Sequence, residues 1–355
     1  MQVAIAGAGI VGAAIAYELS QVPGLELCVF EACPQPATGA TGAALGVMMG
    51  IISQKTKGRA WRLREQAVQR YDSLIAELED RTGQSILYNR QGIVSLRFAP
   101  DERLERWQTL QAQRQAQGYK LELWDRDTLL EHCPHITHPD ICGAVYSPGD
   151  RQVDPVALTQ VLLQAAQLND VQVHYNQPLK RDSQGELRDG AGEAIATDAY
   201  ILTAGLGTVQ LVPDLDLRPV LGQAWRVKLS APLGQPDFQP VITGEDVLVV
   251  PLGAGHYWLG ATVEFPDEAG MVVAQAEAKA EFWRKALRFF PALAEAEITA
   301  EWSGLRPRPW GQGAPVIMEV ESDRPTLVAA GHYRNGVLLA PGTAQVVKDW
   351  VLGLG

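Results

Sequence analysis

Three glycines and one acid near the start of the chain carry the first chemical signal. Gly7, Gly9 and Gly12 stand in the spacing G-x-G-x-x-G, directly after an apolar run around Val3 and Ile5 and ahead of a helical stretch from Ile10 to Leu19. A strand, a glycine turn and a helix in that order present free N–H groups and the positive end of a helix dipole to a phosphate. Gly7 permits the tight turn, Gly9 lets the main chain approach a pyrophosphate with no Cβ in the way, and Gly12 lets the helix lie close on the strand. A second strand, Leu25 to Phe30, is followed by Glu31, nineteen residues beyond Gly12. A carboxylate there binds a ribose hydroxyl pair and repels a 2′-phosphate. The chemistry indicated is binding of a dinucleotide without that phosphate; a plain strand–helix–strand unit is the bland alternative.

The second signal lies near the other end. Arg306, in WSGLRPRP (302–309), and Arg334, in GHYRNGVLLAPGT (331–343), are cations set among apolar residues, prolines and glycines. A charge in such surroundings needs a carboxylate partner or a ligand anion, and arginine is shaped for bidentate carboxylate binding. For Arg306 a buried salt bridge to an acid such as Glu301 or Asp323 competes evenly with a ligand; the glycines around Arg334 favour a ligand. The last helix, expected to begin at Pro341 or Gly342, supplies a further positive pole.

The elements that must hold these ends together read as two discontinuous domains. At 355 residues, 46% hydrophobic and 20% charged, the chain suits two globular units. The first combines 1–84, 145–215 and 303–355 as a Rossmann-type domain on a parallel sheet. The second combines 85–144 and 216–302 as an α+β domain on a mainly antiparallel sheet. A small-residue loop, Cys33 to Gly50, follows the acid and would line a large flat ligand. Helices are expected at Arg59–Thr82, Asp101–Gln117, Pro155–Leu168 and Glu277–Phe290, with strands between Ser85 and Phe98 and at 121–124, 171–175, 199–203, 219–229, 247–251 and 257–263. The strand 199–203 exits through Ala204 and Gly205, the kind of turn that lies beside a nucleotide.

Composition narrows the partners. A net charge of −11 without a dense basic run argues against nucleic acid and anionic membranes. No apolar run reaches a membrane span, and the N-terminus lacks a basic leader, so a cytoplasmic protein is expected. Cys28, Cys33, Cys133 and Cys142 form no disulfide framework. The stretch EHCPHITHPDIC (131–142) crowds His132, Cys133, His135, His138 and Cys142, but Pro134 and Pro139 break ligand spacing, and it reads as a proline-broken surface loop with no metal.

Taken together, GAGIVGAAIAYEL with Glu31, TGATGAALGVMMG (38–50), VDP (153–155), ILTAG (201–205), SGLRPRP (303–309) and GHYRNGVLLAP (331–341) resemble the FAD-dependent amine and amino-acid oxidoreductases, the group of D-amino acid oxidase, sarcosine oxidase and glycine oxidase. The glycine oxidase branch of thiamine biosynthesis is the nearest likeness. The resemblance implies that Gly7, Gly9, Ile10, Val11, Gly12, Glu31 and Ala32 hold the ADP half of FAD. It implies that Thr41, Gly42, Gly46, Val47 and Met48 follow the ribityl chain and ring. Leu179 would contact the cofactor through its main chain and Gly205 from the strand exit, while His332, Tyr333, Arg334, Asn335, Gly336, Val337 and Leu338 would wrap the isoalloxazine. Arg334 would pair with the substrate carboxylate, with Arg306 in the same pocket. Members with covalent flavin use a cysteine near the C-terminal motif; none follows Cys142 here, so the resemblance implies noncovalent FAD. Glycine oxidases place a tyrosine where this chain has Leu248, a change that favours a larger or more apolar amine.

The implied activity is oxidation of a small amino acid or amine, of glycine, sarcosine or D-amino acid type, to an imine by hydride transfer to flavin. Oxygen or a quinone would accept the electrons, and a homo-oligomer is compatible with the chain. No acidic or histidine base is demanded if the amine binds neutral, and no catalytic residue is assigned. The alternative is a catalytically silent flavin-binding protein serving as a binding or assembly partner. Trp225, Tyr257 and Trp258 are aromatic strand residues expected in the core rather than the site.

Overall fold

The computed structural model describes residues 1–354. Its first layer is a six-stranded sheet in the order Val316–Glu319, Thr326–Ala330, Ala199–Leu202, Gln2–Ala6, Glu26–Phe30, Gln172–His174, parallel except for the first strand. Both faces are buried, so Ala199–Leu202 and Thr326–Ala330 are buried at every position, and apart from Thr326 they show no polar alternation. Helices Ile10–Ser20, Gly58–Thr82, Pro155–Gln167 and Gly336–Leu352 form one core with this sheet. The helix at 155 is started by Asp154, which accepts N–H bonds from Val156 and Ala157 ahead of Pro155 at its first position.

The second layer is an eight-stranded sheet in the order Glu297–Pro309, Leu217–Lys228, His256–Gly260, Val247–Gly253, Val241–Gly244, Ile93–Phe98, Ile141–Ser147, Glu122–Asp125. Only Val241–Gly244 and Ile93–Phe98 pair in parallel. Helix Ala276–Phe289 closes one face, setting its own Phe282 and Phe289 into one core with Trp225 of the sheet. Trp225 and Tyr257 are core residues, as expected, and Trp258 packs on a smaller cluster with Leu45 and Ala224. A three-stranded sheet, Val47–Met48, Arg151–Val153 and Tyr88–Asn89, joins the layers.

Four expectations are corrected. The boundaries 144/145 and 302/303 cut through Ile141–Ser147 and Glu297–Pro309, which both belong to the eight-stranded sheet. The second of these strands accommodates Pro307 and Pro309 because it is a sheet edge, where a missing N–H leaves no ladder bond unmade. The loop 131–142 is not merely surface. Cys133 and Ile136 are fully buried and His132 stacks on Trp124, so apolar packing holds the stretch; the described residues contain no cluster of three metal-competent side chains.

The last helix starts at Gly336, not at Pro341, which lies inside it. A proline at 341 removes the N–H that would bond to the carbonyl of Val337. The Tyr71 hydroxyl donates to that carbonyl at 2.6 Å from the helix Gly58–Thr82 and replaces the lost bond. Tyr71→Phe should therefore destabilise the protein by about 1–2 kcal/mol, because a buried acceptor is left unpaired. Chemical denaturation with unchanged FAD content would check this, and an unchanged midpoint would refute it.

Candidate functional site

A cavity of about 450 Å³ runs between the two sheets, from the glycine turn to the C-terminal arginines. At one end, Gly7 has φ +100°, and a Cβ there would lie 2.9 Å from the Thr203 carbonyl oxygen. Helix Ile10–Ser20 has no side-chain cap from Gly9 and no acid in its first turn, which leaves its positive pole available to an anion. The Thr41 hydroxyl, from the small-residue loop, accepts the Ile10 N–H at 3.1 Å and fastens that loop across the pole. Glu31 accepts main-chain N–H bonds from Ala8 at 2.7 Å and Cys33 at 2.9 Å. Those bonds use about two of the carboxylate's four acceptor positions, and the residue still lines the cavity.

The far end is built from the edge strand and the turn before the last helix. Gly331 (φ +63°) and Tyr333 (φ +56°) both sit in the left-handed region, and Tyr333 N–H donates to the Pro307 carbonyl at 3.1 Å. A tyrosine in that conformation is uncommon, and the bond to the edge strand holds it there. His332 is buried and its Nε2 lies 2.9 Å from the Thr343 hydroxyl; burial pushes its pKa down to about 4, so the ring is neutral. The last helix opens at Gly336 with no side-chain cap and no acid in its first turn, and Gly336 and Val337 line the cavity.

Arg306 is half-buried and touches no carboxylate. Its Nη1 donates to the carbonyls of Leu221 and Thr262, each at 3.1 Å. Of the acids that could have paired with it, Glu301 bonds Lys279 instead. Burial and the nearby positive charge of Arg334 both lower the Arg306 pKa. Such a half-buried cation, satisfied only by neutral carbonyls, favours arrival of an anion. Arg334 is exposed, at 43%, and its nearest carboxylate is Asp246 at 3.9 Å. It stands at the mouth rather than in the interior.

The structure brings both arginines, Leu248 and most of the expected cofactor residues to this one cavity: Gly7, Gly9, Ile10, Val11, Glu31, Ala32, Thr41, Gly46, Val47, Leu179, Gly205, His332, Tyr333, Gly336 and Val337. Gly12, Gly42, Met48, Asn335 and Leu338 are not in its lining. Gly12 and Gly42 are glycines for packing, since a Cβ would lie 2.0 Å from the Gly7 carbonyl oxygen and 2.3 Å from that of Ala37 respectively. Met48 and Leu338 are core residues, and Asn335 precedes the last helix. Sequence reasoning did not find Thr203, Gly222, Ala261, Gly304, Leu305 and Pro307, which also line the cavity. A glycine inside a strand, as at Gly222 and Gly304, is the one signal that marks a close approach.

A family model described as FAD dependent oxidoreductase matches residues 2–350. The chain belongs to this family. It is an FAD-dependent oxidoreductase, and the expected fold and cofactor stand. Among its relatives, the glycine oxidase of Geobacillus kaustophilus is 30% identical over 356 residues, covering 98% of this chain and 92% of that protein. The bifunctional protein ThiO/ThiG of Synechocystis is 31% identical over 99% of this chain, which spans about half (51%) of that relative. The crystal structure of the Geobacillus glycine oxidase has a TM-score of 0.85 at 28% identity, covering 99% of this chain and 94% of that one. Iminodiacetate oxidase from Chelativorans shares the fold, with a TM-score of 0.81 at 23% identity over 99% and 95% of the two chains. No helix among the described residues is long and apolar enough to cross a membrane.

The residues present fit FAD. The helix pole at Gly9, where Thr41 takes only the Ile10 N–H, and the acid Glu31 suit a diphosphate and a ribose, and the uncapped pole at Gly336 suits a ring that gains negative charge.

Proposed function

We propose that this enzyme oxidises the amine of a small amino acid or N-substituted amino acid to an imine, with the substrate carboxylate held by Arg306. The observation that carries the reading is Arg306 itself, a half-buried guanidinium on the cavity wall with two carbonyl partners and no acid in contact. FAD, held noncovalently, supplies the two-electron acceptor when bound. The protein's part is to fix the carboxylate, orient the amine-bearing carbon and exclude water. Leu248, Ala261 and Leu305 make the surrounding wall apolar, which favours the neutral amine and leaves room beside it for an aliphatic substituent. Neutral His332, bonded to Thr343, positions the turn and does not act as a base.

The test is an anaerobic spectral titration of the holoenzyme with glycine, sarcosine, D-amino acids, L-proline and related amines. Bleaching of the flavin bands by one of them, reversed by air, supports an oxidase; bleaching that air does not reverse supports transfer to a quinone-type acceptor. If the bands are present and no amine bleaches them, the catalytically silent binding protein becomes the better reading.

Arg334 supports the same carboxylate from the mouth in this proposal. Because it is exposed and shared with Asp246, Arg334→Ala should raise the KM of a carboxylate substrate only about tenfold and leave the FAD content unchanged. Steady-state kinetics would decide, and an unchanged KM would remove Arg334 from the site.

A further inference from the structure

Arg306 is aimed by main-chain atoms, and those atoms are held in turn by one carboxylate. Both carbonyls that accept from Arg306 belong to a short pairing between Leu221–Gln223 and Thr262–Glu264. Leu221 and Glu264 exchange main-chain bonds at 2.9 and 3.0 Å, and Thr262 N–H donates to the Gln223 carbonyl at 3.2 Å. The Thr262 hydroxyl accepts the Gln223 N–H at 2.8 Å.

Glu264 is buried (6% exposed), and among the described residues no lysine or arginine pairs with it. Its Oε1 accepts from Gln223 Nε2 at 2.9 Å and from the Thr262 hydroxyl, and its Oε2 accepts the Gln275 N–H at 2.6 Å. Every partner is a donor. Gln223 Nε2 also reaches the Gln275 carbonyl at 3.2 Å, so the same group ties 264 to 275 across the base of the intervening segment. A buried carboxylate served only by neutral donors is an expensive arrangement unless its charge is used. The positive charge it acts on is Arg306, whose protonated form it favours.

We infer that Glu264 is the positioning residue of the substrate-carboxylate anchor: it locks the Thr262 and Leu221 carbonyls in the geometry that aims Arg306, and it supplies the balancing negative charge behind that arginine. This rests on the proposed role of Arg306. An amide cannot substitute, because one end of a glutamine would present N–H to a group that is itself a donor. Glu264 is not in the cavity lining and acts through Arg306 alone.

A double-mutant cycle on the holoenzyme tests it, with acetate as the probe and its Kd read from the perturbed flavin bands. Glu264→Gln should raise the acetate Kd about tenfold and raise the KM of an amino acid substrate in step, while kcat changes less than about threefold. In an Arg306→Ala background, Glu264→Gln should add nothing, which a merely structural role would not produce. Thr262→Val, which removes one donor and leaves the carboxylate, should shift Kd in the same direction by less, and it carries the test if Glu264→Gln fails to retain FAD. The inference is overturned if Arg306→Ala weakens acetate but Glu264→Gln does not, or if the two effects simply add. If Arg306→Ala itself leaves acetate binding intact, the carboxylate-anchor reading fails instead.

Discussion

Gly222→Ala should abolish most carboxylate-substrate binding and leave FAD in place. The Arg306 guanidinium lies flat against Gly222, so that a Cβ there would sit 2.2 Å from Nη2 and 2.5 Å from both Cζ and Nη1. Gly222 pairs with Gly304 across the two strands, and Arg306 lies two residues along on the same face. The pair makes a depression in the sheet: one half receives the guanidinium, and the other receives Ala43 of the small-residue loop, which a Cβ on Gly304 would meet at 2.2 Å. The conformation of Gly222 is ordinary strand, so alanine introduces no backbone strain and acts through space alone. Arg306 must swing away and give up its two carbonyls. The expected loss is about 1.5–3 kcal/mol of carboxylate binding, a ten- to hundred-fold rise in KM. Kinetics together with the flavin spectrum would check it; a KM within about twofold of the parent would show that Arg306 does not anchor the substrate.

Asp150→Ala should destabilise the fold by roughly 3 kcal/mol or more, lowering the thermal midpoint by on the order of 5–10 °C. Asp150 is buried and accepts the N–H groups of Gly50, Ile51 and Ile52 at 2.7, 2.8 and 2.9 Å. Burial pushes its pKa up, and those three donors work against that. Arg114, fully buried, serves the carbonyls of the same loop: Nε donates to Ile51 at 2.6 Å, and Nη2 to Ser53 and Lys55 at 2.7 and 2.9 Å. Its guanidinium also lies 3.7 Å from the Trp61 ring centroid. Between them the two side chains pair the main chain of a loop that has no sheet or helix to do so. That loop continues from Val47–Met48, and Val47 lines the cavity, so the clamp also steadies the site. Removing the carboxylate leaves three buried donors without partners. Asp150→Asn, which keeps one good acceptor, should fall between the parent and alanine. Equal midpoints for parent and alanine variant would show that the loop finds other partners.

How much was legible beforehand varied along the chain, for physical reasons that differ from residue to residue. The N-terminal unit was readable because its information is local. Gly7, Gly9, Gly12 and Glu31 lie within one strand–helix–strand unit, where spacing alone dictates which atoms meet. The helix at Pro155 was readable from Asp154 and Pro155 for the same reason. Pro341 misled because proline usually marks a first helical turn, and the compensating hydroxyl of Tyr71 lies 266 residues before the Val337 carbonyl that it serves.

The edge strand Glu297–Pro309 was concealed by its prolines. Their tolerance depends on which strand ends up at the sheet edge, a property of the assembled sheet. Strand Thr326–Ala330 was concealed by burial on both faces, which erases alternation.

The sequence by itself determined the dinucleotide cradle, the two-layer α/β architecture and the presence of two arginines in apolar surroundings, because residue type and short spacing decide those. Only the tertiary structure distinguished the arginines. Arg306 lost its possible salt bridge because Glu301 lies where Lys279 reaches it, and it lies on Gly222 because a strand pair brings positions 84 residues apart into contact. Arg334 reached the cavity mouth because a left-handed Tyr333 turns the chain out beside it. Glu264 carried no signal of its own, since a glutamate after Ala261–Thr262–Val263 looks like any exposed strand residue until Gln223 and Gln275, from two other segments, join Thr262 in donating to it. Contacts of that kind depend on how distant strands register, which no local pattern encodes.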